Sequence, residues 1–451
     1  MQILNLLNGI SIQAYYGETF DISLNWIGNL IRLLITSVGS VGVGVILFSV
    51  ILRVIVLPFD VYQRIAMRKQ NLKMKENQAR MEKLQKQYAN NKELYNQKVM
   101  EMYRESGFSL FSSCLPMILS LVIFIVAINA FTAYSQYSNI ENYNMMVKAY
   151  HAEMASYCAD LDDGATVTTD GDVITVKQDG KYIYYQVTTP TDGSAYDNAY
   201  IKNAKKSYFI DGDAARADAD VQAALGENIN DDDALIGYFT EKAQAAVATA
   251  YETEVSKKTG FLWIKNVWVT DASYRHPILE YSDFKTEVER QDFEVNGNKV
   301  SLNGVTEYTD VYKADQYNVI TAKLDNAKTA ANGYFILIAL SIGTILLQQF
   351  VSMRSQKEQQ KYGSVDGQGE SQQKMMLVIM TGMFAIFSFM YSSAFSIYMI
   401  TSNVLSLCST LIINKLVDRS ESKKEAKALQ EKYNKRFPGR SVNDKSKTDK
   451  K

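Results

Sequence analysis

The sequence predicts an α-helical polytopic membrane protein with five transmembrane helices, a cytoplasmic helical hairpin and an inserted extracytoplasmic α+β domain. Three observations carry that prediction. Four windows are long, apolar and almost free of charge. The segments between them alternate between basic and acidic. One of those segments is about 200 residues long and holds its own strand and helix signals. Averages over the whole chain hide all of this: 48 Lys and Arg oppose 49 Asp and Glu, giving a net charge of −1.

The windows are residues 38–58, 110–132, 333–353 and 375–416. A bilayer core takes about 20 helical residues. The last window is twice that, so it reads as a helical hairpin with a tight turn near Tyr391–Ser396, where Ser392, Ser393 and Ala394 interrupt the apolar run. Ahead of the first span, the Ile22–Ile35 stretch is apolar with Trp26, Asn29 and Arg32 interspersed, as expected of a helix lying in the membrane interface within an external segment 1–37. Residues 1–20 contain no Lys or Arg and no continuous apolar core, so a cleaved signal peptide is not expected.

Loop charges orient the spans. Segment 59–109 has 11 Lys and Arg against 6 Asp and Glu, segment 133–332 has 18 against 32, loop 354–374 has 4 against 3, and the chain from Lys415 onward has 13 against 6. The basic segments fall on one side of a five-span topology. The expectation is a multi-pass membrane protein, with N-terminus and acidic insertion outside and the hairpin, the 354–374 loop and the 417–451 tail in the cytoplasm.

Some chemistries are excluded. The only histidines are His151 and His276, and the three cysteines, Cys114, Cys158 and Cys408, are far apart. No zinc or CxxC pattern can be written from them, and the sequence has neither a P-loop nor a dinucleotide fingerprint. No cofactor or metal is expected, and no enzymatic activity. Asp211, Asp213, Asp218, Asp220 and Asp231–Asp233 invite a calcium reading but lack the glycine and closing glutamate of a calcium loop; helix N-termini and solvated acids suit them better.

Between Asp60 and Ser106 the chain is rich in Lys, Glu, Gln, Met and Leu without Pro, and Asn90-Asn91 is its turn signal, so two antiparallel helices are expected. Ile65, Leu72 and Ala79 recur every seven residues as a seam would, as do Met67, Met74 and Met81. Met offers adaptable apolar surface, making that row a candidate contact for transient partners. The basic tail suits ribosomal RNA or anionic head groups.

Polar groups gather in the cytoplasmic half of the spans. Arg53 lies five residues from the inner end of the first, roughly 7–8 Å along the helix. Gln348 and Gln349 lie at similar depth on the third, Asn403, Ser406, Thr410 and Asn414 share a face of the last, and Ser112, Ser113 and Ser120 lie on the second. Such groups face a bundle interior or a wet cavity, so a water-containing recess is expected. No Asp or Glu occurs in any of the expected spans, which disfavours proton- or sodium-coupled transport.

These residues resemble the YidC/Oxa/Alb membrane protein insertase family. The likeness begins at Ile51-Leu52-Arg53 with Leu57-Pro58, runs through the basic hairpin into Cys114-Leu115-Pro116, and includes Phe261-Leu262-Trp263-Ile264 of the 261–266 motif, Leu347-Gln348-Gln349, Gln373-Lys374-Met375-Met376, and Tyr398 with Asn403–Ser406. It implies five core spans and a hydrophilic groove open to cytoplasm and lipid that carries Arg53, Tyr398 and the polar row. It implies that the membrane is the bacterial plasma membrane, and insertion without nucleotide hydrolysis, with nascent membrane proteins, the ribosome, the Sec translocon and membrane lipids as partners. The chain departs from the pattern at Ser109–Ser113, at Met399, in having no cysteine before Cys114 to carry a lipid anchor, and in its large insertion. There Asp179-Gly180 and Asn296-Gly297 signal β-hairpins, and 231–258 and 314–331 read as helical. The competing function is a small-solute channel or transporter with an external sensing domain.

Overall fold

A computed structural model describes residues 12–17, 19, 21–105, 110–160, 168–170, 173–178, 181–188, 203–295, 298–301, 310–355 and 368–436. The fold is mostly helical. Among the described residues three helices are long and apolar enough to cross a membrane: Val41–Ala66, Ile336–Arg354 and Ser393–Arg436. Trp26–Val38 and Thr381–Met390 are apolar but shorter. The expected second span begins on helix Leu110–Ser156, where the side chains before Val122, including those of Ser112, Ser113, Cys114 and Ser120, lie outside the described residues.

The chain divides into two compact units. One comprises Met1–Val45, Ile128–Leu337 and Phe389–Phe395; the other comprises Ile46–Ala127, Ile338–Ser388 and Ser396–Lys451.

The first unit holds two antiparallel sheets. Strands β1 (Ile12–Gly17), β3 (Thr168–Asp170), β4 (Val173–Gln178), β5 (Lys181–Thr188) and β6 (Asn203–Ile210) form one, in the order β1-β6-β5-β4-β3. β2 (Asp21–Ile22), β7 (Asp292–Val295) and β8 (Asn298–Ser301) form the other, in the order β2-β7-β8. The predicted hairpin strands pair as expected, while their Asp179-Gly180 and Asn296-Gly297 turns lie outside the described residues. The N-terminal segment, read only as external chain, supplies a strand to each sheet. Ile12 pairs with Ile210, and Ile22 with Phe293.

The interfacial-type helix forms at Trp26–Val38, slightly later than the apolar stretch suggested, because Asn25 starts it: its side chain accepts from Gly28 N at 2.7 Å. Gly39 ends it in the left-handed conformation that glycine adopts freely. Of the seven aspartates considered for calcium, three are caps and the other four lie in the first turns that follow. Asp211, Asp218 and Asp231 each accept backbone N–H bonds at a helix start, where a carboxylate also meets the positive end of the helix dipole.

The core of this unit is aromatic. Tyr143, Phe284, Tyr312 and Tyr317 pack ring against ring, and three hydroxyls find partners: Tyr143 donates to Val311 O, Tyr317 to Leu279 O and Tyr312 to Asn144 Oδ1. Beside it runs a buried polar chain. Asn139 donates to Glu287 Oε1 at 3.2 Å, Asn266 donates to Asn139 Oδ1 at 3.3 Å and Pro277 O at 2.8 Å, and Asn332 donates to Asn266 O, Val269 O and Thr270 O. These bonds fix the 261–271 segment, in which Phe261 and Ile264 exchange backbone bonds around an exposed Leu262. A Cβ on Gly42 would sit 2.2 Å from the Phe261 ring, so glycine is required there.

Glu287 ends the polar chain with Oε2 shielded from solvent and without a donor among the described residues. Burial, the largest cause, pushes its carboxyl up to about 8 from 4.5. The folded state therefore holds a proton here that the unfolded chain releases above pH 4.5, so stability falls as pH rises from about 4.5 towards 8. Glu287→Gln should flatten that slope and raise thermal stability above pH 7 in detergent; an unchanged pH profile would show that Glu287 does not titrate in this window.

In the second unit the hairpin arms are the end of Val41–Gln87, a helix that passes through Pro58, and Lys92–Glu105. Asn91 caps the return arm by accepting from Leu94 N at 3.0 Å, and Arg80 reaches Glu105 across the arms at 3.2 Å. Of the expected seam, Ile65 is partly buried and the Leu72 side chain lies outside the described residues. Ala79 is exposed, whereas Met81 and Met102 are buried, so the packed side runs through these two methionines.

Candidate functional site

The site is built on three helices of the second unit. Arg53 and Asp60 stand two turns apart on Val41–Gln87. Thr344 and Gln348 project from Ile336–Ser355, and Asn403, Ser406 and Ser409 from Ser393–Arg436, at spacings of three that keep them on one face.

Arg53 forms an ion pair with Asp60, and its Nη2 also donates to Ser409 Oγ at 2.6 Å. Ser409 in turn donates to Ser406 O at 3.0 Å. Gln348 donates to Ser406 Oγ at 3.3 Å, and Asn403 to Thr344 Oγ1 at 3.4 Å. Ser341 and Ser388, 2.9 Å apart, tie Ile336–Ser355 to Gln368–Met390. Arg53 Nε is buried and meets no acceptor among the described residues, so the guanidinium keeps donor capacity beyond its two partners. Further along the same two helices Arg68 bonds Asp418 at 2.9 Å, and Arg64 approaches it at 3.6 Å. The arginines of the first helix thus lie against the acids and hydroxyls of the last.

The predicted residues sort into three groups. Arg53, Gln348, Asn403 and Ser406 enter this hydrogen-bonded set. Tyr398 is buried on the same last helix, and Gln349 and Thr410 are partly buried beside the set. Of the methionine row, Met81 is buried in the hairpin and offers no outward surface, while the Met67 and Met74 side chains lie outside the described residues. Sequence reasoning missed Asp60, Ser409 and Thr344. Asp60 lies beyond Pro58, yet the helix continues through it and returns the carboxylate to the arginine, so the expectation of spans without an acid is corrected: Val41–Ala66 contains Asp60. Apolar side chains surround the polar set: Val54, Ile55, Leu346, Leu347 and Phe350 are exposed on the same helices.

An apolar frame around a partly buried arginine and hydroxyl-lined helices suits the binding and solvation of a charged or polar group. Comparison with known proteins agrees with that character. The sequence model of the family described as "60Kd inner membrane protein" matches residues 33–170 and 247–424, more than half of the chain. The chain belongs to this family, the YidC/Oxa/Alb group. Its matched regions contain every residue named in the site and flank the stretch that carries β4, β5 and β6.

Individual relatives align over shorter stretches. A protein of Caldanaerobacter subterraneus subsp. tengcongensis named membrane protein insertase YidC is 37% identical over 98 residues, 22% of this chain and 46% of the relative. Its namesake in Fusobacterium nucleatum is 35% identical over 86 residues, 19% of this chain and 40% of the relative, and that of Clostridium perfringens is 34% identical over 88 residues, 19% and 35%. The alignments therefore span less than half of the length of these relatives. No solved structure matches the chain.

Proposed function

We propose that this chain is a non-enzymatic insertase and chaperone that passes nascent membrane proteins into the lipid bilayer through a hydrophilic groove open to the cytoplasm and to lipid. One observation carries the reading: Arg53, an ionised group on a helix apolar enough to span a membrane, is retained among hydroxyls and amides contributed by two other apolar helices. A charge in such a place is costly, by about 2.5–3.5 kcal/mol at a span centre on insertion scales. A groove that keeps water and a cation within the bilayer lowers the barrier for the polar flank of a client, and exposed Leu347 and Phe350 beside Gln348 offer its apolar segment a way out to lipid.

The topology proposed has five spans, an external N-terminus, an extracytoplasmic α+β domain and a cytoplasmic C-terminus in a bacterial plasma membrane. Supporting it, Phe389–Phe395 belongs to the same compact unit as Ile128–Leu337, and Ser393 N bonds Val269 O at 3.0 Å, as expected if the last hairpin turns on the insertion's side. The basic hairpin and tail are proposed to approach the ribosome, with the Sec translocon and lipids as further partners. A solute transporter is the weaker reading, because Ile336–Ser355 and Ser393–Arg436 are continuous helices without the paired breaks that hold transported solutes.

A photocrosslinker at Gln348, activated while ribosomes hold partly made clients, should capture the clients' apolar segments. Absence of such adducts, in a variant that reaches the membrane, overturns the proposal.

A further inference from the structure

We propose that Asp60 is a resident counter-ion that an acidic client must displace from Arg53, so that this one carboxylate sets the charge selectivity of the groove. The inference rests on the insertase reading of the same site and deepens it. Its ground is geometric. Asp60 lies seven residues after Arg53 on an unbroken helix, about 10.5 Å along the axis, and helical side chains lean towards the N-terminus, which brings the carboxylate back to the long arginine. The pair is formed, and both side chains are mostly but not fully shielded, at 16% and 23% exposure. Ser409 takes a second bond from the same Nη2, while Nε lacks an acceptor. The Nη2 of the guanidinium is thus already held by an internal anion and a hydroxyl, and Nε is buried.

A client carboxylate entering the groove meets a neutralised pair rather than a bare cation. It gains the arginine only by pushing Asp60 aside, and Asp60 repels it meanwhile. A neutral polar tail feels neither effect. Removing the charge of Asp60 while keeping its shape should therefore raise the insertion of acidic-tailed clients relative to neutral ones. Asp60 is a positioning residue on this account, acting through Arg53.

The test uses the full-length chain in membrane vesicles and two single-span clients identical except for an acidic or a neutral translocated tail. In Asp60→Asn the acidic-to-neutral insertion ratio should rise about three- to fivefold, the weight of a partly exposed ion pair, and Asp60→Glu should restore the original ratio. An unchanged or lower ratio in Asp60→Asn overturns the inference; if that variant fails to accumulate, Asp60→Ser is read in the same way. Arg53→Ala is run alongside. If it lowers both clients equally, the electrostatic reading of the groove fails and takes the inference with it. If it discriminates between them while the Asp60 variants do not, only the Asp60 inference falls.

Discussion

On the proposed function, replacing Arg53 with alanine should remove most insertion of clients whose translocated tails are acidic and spare much of the insertion of neutral ones, measured as protease-protected product per molecule of this protein. Part of the damage should be to the protein itself. Asp60 would be left without its partner, and stripping one member from a largely buried pair costs about 3–5 kcal/mol when burial is complete, less at the partial exposure here. A double variant, Arg53→Ala with Asp60→Asn, separates the two effects: it should recover membrane level and thermal stability without recovering acidic-client insertion. Arg53→Lys should keep most activity, since a point charge can hold Asp60 or a client carboxylate without a bidentate fork. Equal loss for both client types would assign Arg53 to structure alone.

The second large effect is expected at Asp271. This carboxylate is fully buried and grips the start of Ile336–Ser355: Oδ1 accepts from Tyr334 N at 2.7 Å and Oδ2 from Leu337 N at 2.6 Å, while its carbonyl accepts from Phe335 N at 3.2 Å. The grip holds Phe335 at a φ of 63°, a conformation that only such over-determination sustains in a non-glycine residue. Asp271→Ala would orphan two buried donors, and bonds to a charged acceptor contribute about 1.5–3 kcal/mol each, so a clear fall in melting temperature in detergent is expected. Asp271→Asn, which keeps one acceptor, should lose less. Gly333→Ala should imitate Asp271→Ala, because its Cβ would fall 1.9 Å from Asp271 Oδ1. A Gly333→Ala protein as stable as its parent would show that the segment can shift without losing the cap.

What the sequence revealed and what it hid follow from the range of the physics involved. The break at Tyr391 and Ser392, the cap-forming aspartates and the hairpin strands were legible because each is set by residues a few positions apart. Arg53, Gln348, Asn403 and Ser406 were legible because a polar residue in an apolar run stands out. Asp60 was not: it lies in a stretch of ordinary polarity, and only the uninterrupted helix through Pro58 makes it Arg53's neighbour. Ser409 was passed over for Thr410 because spacings of three and four both keep a helical face, and choosing between them requires knowing where the partner helix lies. In the hairpin two rows recur every seven residues, and recurrence alone does not choose between their ends, of which Met81 is buried and Ala79 exposed. Asn332 and Asp271 act on segments more than 60 residues distant in sequence, which no local pattern announces.

Strand β1 has a consequence for how the protein is made. Its hydrogen-bonding partner is β6, so Ile12 must wait for Ile210. Translation at about 5–20 residues per second puts on the order of ten to forty seconds between the synthesis of the two. During that interval the first strand is a lone edge with free donors and acceptors, the form of chain most prone to pairing with a wrong neighbour. Its sheet closes only when the two meet. Strand β1 thus has no place in its sheet until roughly 200 further residues have been made.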